Sequence, residues 1–585
     1  MGERSVLPLC RSGLGTQKCY HLPVAENRVG LRVCRSATIC VPVAAPLFKE
    51  PMKNIESLRR RHLIMLGVVS AAAAGLPRGA WSQVRFVANP FTLGVASGSP
   101  SSDSLVLWTR LQGKGSAWNS LAQGPIAVRW ELAQDEQFAR MVQSGQVLAT
   151  PELAQSVHAE VAGLESDRWY FYRFRSGDAI SPIGRTRTFP KPDAVVDRLR
   201  LAYASCQKWE DGYFTAWRHM REENLDAVLF LGDYIYEYPG TSSRLRSPRG
   251  GWVLDLDDYR ARYAQYKGDV DLQAMHAACP WLVTWDDHEV QNDYAGVQAG
   301  NSGFADPSVA ANFLARRAAA YQAWYEHMPV HSSVLLQGLA GLSRGAEMRI
   351  YQRVEYGRLA SLYLLDGRQY KDPQVCNKGE ALGSSVINPA SCASWNDPQR
   401  SLLGQQQERW LYQEFGQARS RQTHWNVLGQ PTLLGQRNFK SGAGQILWND
   451  GWDGYPAARS RLTDALRATR VANPVLLGGD VHENWVGHVK ADYADPESAS
   501  IGVEFCGTSI TSRTGGAAKA AEILAANPHF VFADAQRKGY GVVEFTPDHL
   551  STTLRVVDDV MRQDTRVETL ARFTVRAGRP MVEPG

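Results

Sequence analysis

Six stretches of the chain pair an apolar run with side chains that hold metals or move protons. Ser205-Cys206-Gln207 follows the run at 199–203, and Gly232-Asp233-Tyr234-Ile235-Tyr236 follows 227–231. Asp286-Asp287-His288-Glu289 closes the run 281–285, Asp366-Gly367-Arg368 follows 359–365, and Gly429-Gln430-Pro431 follows 425–428. Gly478-Gly479-Asp480-Val481-His482 follows 474–477. Singly, an aspartate after a strand is a turn or capping residue. Together the six mean more, because in open α/β sheets ligands bind beyond the carboxyl ends of the strands. Six such ends would bring their polar groups to one pocket.

The donor types divide into two sets. Cys206 and Tyr236 are anions when metal-bound, and a thiolate and phenolate beside Asp233 favour a high-valent transition metal over Mg²⁺ or Ca²⁺. His482 adds an imidazole nitrogen. Asp287, Asp480 and Gln430 offer only oxygen, the ligation that hard cations such as Ca²⁺ take. Asn292 is a further oxygen donor or a turn residue. Tyr234 and Tyr238 share the alternation of Tyr236, so the residues alone leave the choice of tyrosine open. Two cations would clamp a phosphate, neutralise its charge and lower the pKa of a water. His288, directly after a predicted ligand, is placed to protonate a leaving oxygen. Arg368 can grip a phosphate oxygen with its planar fork, or form a salt bridge with Asp366 or another carboxylate. Neither G-x-S-x-G nor G-x-x-x-x-G-K-[ST] stands at a strand end.

The order of the motifs carries a resemblance. Calcineurin-like metallophosphoesterases arrange D-x-H, G-D, G-N-H-[ED], a lone His and G-H-x-H. Here Asp233 fills the G-D position, Asp287-His288-Glu289 stands for N-H-E, and Gly479-Asp480-Val481-His482 stands for G-H-x-H. Cys206 and Gln430 depart from that pattern at the first motif and at the lone His. The set Ser-Cys-Gln, Gly-Asp-Tyr-Ile-Tyr-Glu, Trp-Asp-Asp-His-Glu, Asp-x-Arg-Gln-Tyr and Gly-Gly-Asp-x-His resembles the PhoD-like alkaline phosphatase/phosphodiesterase family. The resemblance implies an exported hydrolase of phosphate mono- and/or diesters. It selects Tyr236 among the tyrosines, and it implies ferric iron (Fe³⁺) in the first half of the site and calcium (Ca²⁺) in the second, with Asp233 bridging. The rival readings are a metal-dependent oxidoreductase using Cys206 and a non-catalytic phosphate- or glycan-binding protein.

The elements that must position these residues fall into two patterns. Between 85 and 190, short runs rich in aromatic and β-branched residues, such as 105–109, 126–130 and 169–174, alternate with Gly-Ser-Pro turns. Leu164 before Tyr170 and Tyr172 resembles a fibronectin type III pattern. From Leu199 onward, strand runs alternate with helical stretches such as 213–222, 310–327 and 405–415. The expected fold is therefore α/β, a layered metallophosphoesterase-type β-sandwich flanked by helices, preceded by a fibronectin III-like β-sandwich. The expected divisions are 1–83 extension and signal, 84–190 sandwich, 197–560 catalytic domain and 561–585 C-terminal tail.

At 585 residues the chain exceeds a single core. Residues 1–83 hold 12 Lys+Arg and 4 Asp+Glu, a net of +8. The whole chain is +5, so the remainder is 5 − 8 = −3, and no basic nucleic-acid platform is expected. Arg59-Arg60-Arg61 before a weakly apolar stretch resembles a Tat signal, with cleavage expected after Ala80-Trp81-Ser82. Met52 to Gln83 makes a complete signal by itself, so residues 1–51 read as an over-extended start or an appended extension. Export by the Tat machinery to periplasm, cell envelope or medium is expected, with no permanent membrane span after cleavage. Cys10, Cys19, Cys34 and Cys40 have no CxxC spacing. Cys376 and Cys392 share a Gly/Asn/Ser/Pro-rich loop of an exported chain and are expected to form a disulfide.

Overall fold

The computed structural model describes residues 19–21, 38–40 and 85–585, apart from 114, 241–244, 302–311, 336–346, 379–380, 496 and 515–518. The expected signal at 52–83 lies outside the described residues. Within 1–51 a single strand pair is described, Cys19–His21 antiparallel to Thr38–Cys40. Among the described residues no helix is long and apolar enough to cross a membrane.

The apolar runs become strands buried on both faces, as expected for parallel strands covered by layers on either side. Leu199–Ala204, Ala227–Leu231 and Trp281–Thr284 pair in parallel in one sheet. Ala360–Leu364, Trp425–Gly429 and Pro474–Gly478 do so in a second. Strand alternation distributes their side chains between three cores. Leu201, Leu229 and Leu282 of the first sheet meet Leu364, Val427 and Leu477 of the second in the central core. Ala202, Phe230 and Val283 point the other way, onto Trp217, Tyr263, Met275 and Trp324. Those four lie on the helices Thr215–Met220, Leu256–Lys267, Val270–His276 and Phe313–His327. Leu428 and Leu476 point outward from the second sheet onto Leu411, Phe415 and Leu462 of Gln405–Ala418 and Pro456–Thr469. The result is the expected layering of helices, sheet, sheet, helices.

The N-terminal region is a β-sandwich. Ile126–Ala133 and Trp169–Ser176 pair antiparallel and pack Val128, Tyr172 and Phe174 against Leu105, Leu107 and Ala159 of the facing sheet. The Tyr170 hydroxyl accepts the Glu165 N–H at 3.1 Å and donates to the Glu165 carbonyl, the tyrosine corner of such sandwiches. The facing strands Val95–Gly98, Ser104–Arg110 and Ser156–Ala162 do not stop at this domain. Gly98 pairs with Trp281, so they continue the first catalytic sheet, and residues 77–585 form one compact unit.

The expected tail at 561–585 is corrected. It contributes Val567–Arg576 and Glu583–Pro584 at the edge of the first sheet. Phe573, Val575 and Val582 enter the central core, so the segment is held by apolar burial. Cys376 and Cys392 are bonded, with Cα atoms 5.8 Å apart, and Cys206, Cys279 and Cys506 are free and buried.

Candidate metal centre

The six parallel strands deliver their carboxyl ends to one place. The two sheets touch there directly: Thr284 Oγ1 donates to the Leu365 carbonyl at 2.8 Å. The chain leaves these strands through left-handed backbone at Cys206 (φ 61°), Asp233 (φ 59°), Asp480 (φ 67°) and His482 (φ 59°). Non-glycine residues avoid that region, and its concentration at one site marks turns held in shape by their surroundings. Gly232 precedes Asp233 at φ 106°, and a Cβ there would lie 2.6 Å from Asp286 Cβ.

The ligand-type atoms of Cys206, Asp233 and His482 lie within 4.8 Å of one another, and so do those of Asp233, Asp287 and His288. Asp233 belongs to both groups. Tyr236 joins the first: its hydroxyl donates to Asp233 Oδ2 at 2.9 Å and lies 3.3 Å from His482 Nε2 and 2.7 Å from Ser512 Oγ. His482 Nδ1 contacts the Arg513 carbonyl at 2.9 Å, which places the N–H on Nδ1 and the lone pair on Nε2. Burial, reinforced by Lys538, holds the His482 imidazole down at about 3, so it is neutral and able to ligate. Burial pushes the Cys206 thiol well up, with Asp233 adding to it, so a thiolate there requires a cation.

His288 Nδ1 lies 2.7 Å from Glu237 Oε2, and its ring centre lies 4.1 Å from that of Tyr236, the two planes tilted by 34°. Burial would lower its pKa, but Glu237, Asp233 and Asp287 outweigh burial and hold it well above the usual histidine value. Glu237 also accepts the Asn292 N–H at 2.8 Å. Asp480 is pushed up to about 6 by burial, with Asp287 adding to the rise and Arg368 opposing it.

Three predicted residues have protein partners of their own, and for Arg368 the salt-bridge alternative is the one observed. Arg368 does not present its fork to a substrate. Its Nε donates to Asp286, Nη1 lies 2.7 Å from Asp450, and Nη2 lies 3.5 Å from Asp287, so the guanidinium ties aspartates together. Gln430 Oε1 accepts the Trp452 indole N–H at 2.6 Å; an indole nitrogen can only donate, which fixes the amide with its NH₂ end buried and without a partner among the described residues. Asn292 spends its side chain on Tyr238 and the Asn301 carbonyl. Its neighbour Asp293 is grouped with Asp287 and Asp450. Sequence reasoning missed Asp293, Asp450 and Glu237. Glu237 closes the Gly-Asp-Tyr-Ile-Tyr-Glu motif, whereas Asp450 follows no buried strand.

The donor set suits cations. Asp233 Oδ1 is buried with no hydrogen-bond partner among the described residues. Asp293 is pushed up to about 7, by burial first and then by Asp450 and Asp287. Carboxylates crowded in this way need positive charge, which Arg368 and Lys371 supply to Asp286 and Asp450 but not to Asp233.

Known proteins match this chain over most of its length. The family model described as PhoD-like phosphatase matches residues 201–554, and that of the PhoD-like phosphatase N-terminal domain matches 77–190. The sequence is 42% identical over 544 residues to alkaline phosphatase D of Bacillus subtilis (strain 168), covering 90% of this chain and 89% of the relative. A solved structure titled "Structure of PhoD" superposes with a TM-score of 0.77 at 40% identity, covering 86% of this chain and 93% of that one.

Proposed function

The chain belongs to the PhoD-like phosphatase family and is a phosphate-ester hydrolase, and we propose that it works through two cations that share Asp233. The observation that carries this reading is the position of Asp233, common to the Cys206/His482 group and the Asp287/His288 group, with Oδ1 buried and without a hydrogen-bond partner among the described residues. Cys206, Asp233, Tyr236 and His482 would hold a ferric ion, and Asp233, Asp287, Gln430 and Asp480 a calcium ion, with Asn292 a further oxygen donor. When bound, these cations supply charge neutralisation at the phosphate and acidify a water. Arg368 keeps Asp286 and Asp287 in register and is a positioning residue. His288, oriented by Glu237 through Nδ1, presents its Nε2 side to the leaving oxygen and donates a proton there.

Export supports the same assignment. The twin-arginine stretch before 71–74, the cleavage triplet 80–82 and the Cys376–Cys392 bond suit a Tat substrate that ends outside the cytoplasm. The family membership replaces the oxidoreductase and passive-binding readings.

The test is metal removal on natively exported protein. A calcium-selective chelator should abolish phosphate-ester hydrolysis while a thiolate- and phenolate-to-iron absorption band persists, and Ca²⁺ should restore turnover where Zn²⁺ does so poorly. Colourless, fully active protein that contains only zinc would refute the metal assignment.

A further inference from the structure

The charges around the metal centre are mostly spoken for. Arg368 and Lys371 bind Asp286, Asp287 and Asp450, and Lys538 Nζ donates to the His482 carbonyl at 2.8 Å. Lys208 differs. Its backbone is locked in place, the N–H donating to Ser512 Oγ at 3.2 Å and the carbonyl accepting from Thr511 Oγ1 at 2.8 Å. Its ammonium lies 4.9 Å from the centre of the Tyr238 ring and 5.5 Å from that of Tyr236. Among the described residues the nearest carboxylate oxygen to it is Glu210 Oε1, at 3.8 Å, and the side chain is 18% exposed. Two aromatic faces thus hold a cation at the rim, with no close hydrogen bond to a carboxylate.

The position of those rings ties Lys208 to the reaction. Tyr236 bonds Asp233 through its hydroxyl, and its ring lies 4.1 Å from that of His288. Tyr238 meets the same histidine edge-on at 5.2 Å. A lysine over this pair stands beside the phosphate that the centre would hold. Fully ionised phosphomonoesters carry two negative charges over three terminal oxygens. Phosphodiesters carry one over two, with an alkyl or aryl group on the remaining oxygen. A compact ammonium with three donors rewards the extra charge and the extra acceptor.

Building on the phosphate-ester reading above, we propose that Lys208 is a specificity-determining residue: its ammonium donates to the terminal oxygen that a phosphomonoester has and a phosphodiester lacks, biasing the site towards monoesters. Lys208 is not a metal ligand, and its effect acts on substrate and product directly.

The experiment compares metal-loaded full-chain wild type, Lys208→Gln and Lys208→Arg on p-nitrophenyl phosphate and bis-p-nitrophenyl phosphate, which share a leaving group. In Lys208→Gln the ratio of monoester to diester kcat/KM should fall by on the order of tenfold or more, the range of a lost charge-assisted hydrogen bond. Lys208→Arg should recover most of it. Inorganic phosphate, titrated calorimetrically, should bind Lys208→Gln about tenfold more weakly, while metal content stays at the wild-type level. An equal loss on both substrates, or a loss of metal from Lys208→Gln, would overturn the proposal. If wild type hydrolyses neither substrate, the hydrolase reading itself fails and takes this inference with it.

Discussion

His288 separates turnover from metal binding at the scale of one residue. Glu237 holds its Nδ1 at 2.7 Å, and its ring rests on Tyr236. His288→Asn should keep its metals and lose about 10²–10⁴-fold in kcat on esters of poor leaving alcohols, with a smaller loss where the alcohol is acidic and needs little protonation. Equal losses across leaving groups would assign the residue to binding. The sequence marks the residues that follow buried strands: Cys206, Asp233, Tyr236, Asp287 and His482 lie together, and Asp480 is near enough to add to the rise that burial imposes on Asp233. It does not mark partners supplied by other strands. Arg368 is claimed by carboxylates at 286, 287 and 450, and Gln430 by an indole 22 positions along the chain. Asp293, next to Asn292, goes unmarked: it sits at a left-handed turn, φ 59°, and its carboxylate joins the cluster.

At the scale of elements, the turns that leave the strands matter as much as the strands. Gly232 is held at φ 106° against the Asp286 backbone N, which lies 2.6 Å from where a Cβ would be. Gly232→Ala should therefore cost about 1–3 kcal/mol of stability from backbone strain alone, and displace Asp233 enough to lower metal occupancy. Equilibrium denaturation and metal analysis read the two effects, and a variant with wild-type values for both would show that the turn tolerates a side chain. Strands with continuous apolar runs, such as Ala227–Leu231, coincide with their sequence boundaries because burial on both faces leaves no polar alternation to blur them. Val567–Arg576 escapes notice for the opposite reason. As a sheet-edge strand it is mostly half-exposed, and only Phe573 and Val575 are buried, too few to stand out from a polar tail. The continuation of the N-terminal sandwich into the catalytic sheet rests on one pairing, Gly98 with Trp281, which no local pattern announces.

Across the whole molecule, two fastenings lie outside the predicted metal ligands. The Cys376–Cys392 bond spans 16 positions, and beside it Asn449, the neighbour of Asp450, donates to Asn377 Oδ1 and the Val375 carbonyl at 2.8 Å. Cys376→Ser with Cys392→Ser should lower unfolding stability by about 3 kcal/mol in the chain-entropy view, and unchanged denaturation would show that the hydrogen bonds suffice. The second fastening joins Ser156–Ala162 to the segment after Phe313–His327: His331 Nε2 lies 2.9 Å from Glu160 Oε2, and Ser332 N–H donates to Glu160 Oε1 at 2.7 Å. Burial pushes Glu160 up, but hydrogen bonds from His331 and Ser332 outweigh it and hold the carboxyl at about 2, while the bond to Glu160 raises His331 above 6.5. Glu160 thus stabilises the fold above its ordinary value of 4.5, losing this as pH falls towards 2; His331 contributes fully below 6.5 and fades as pH rises through its raised value. The Tm difference between wild type and Glu160→Gln should accordingly be greatest between pH 4.5 and 6.5 and shrink on both sides, and a difference independent of pH would contradict the pairing. The proposed centre hinges on one shared carboxylate, Asp233. The most direct test is the iron and calcium content of Asp233→Asn beside wild type, each purified after native export. The account predicts that this one substitution depletes both metals and abolishes phosphate-ester hydrolysis; a variant that keeps a full complement of either metal would contradict a shared Asp233.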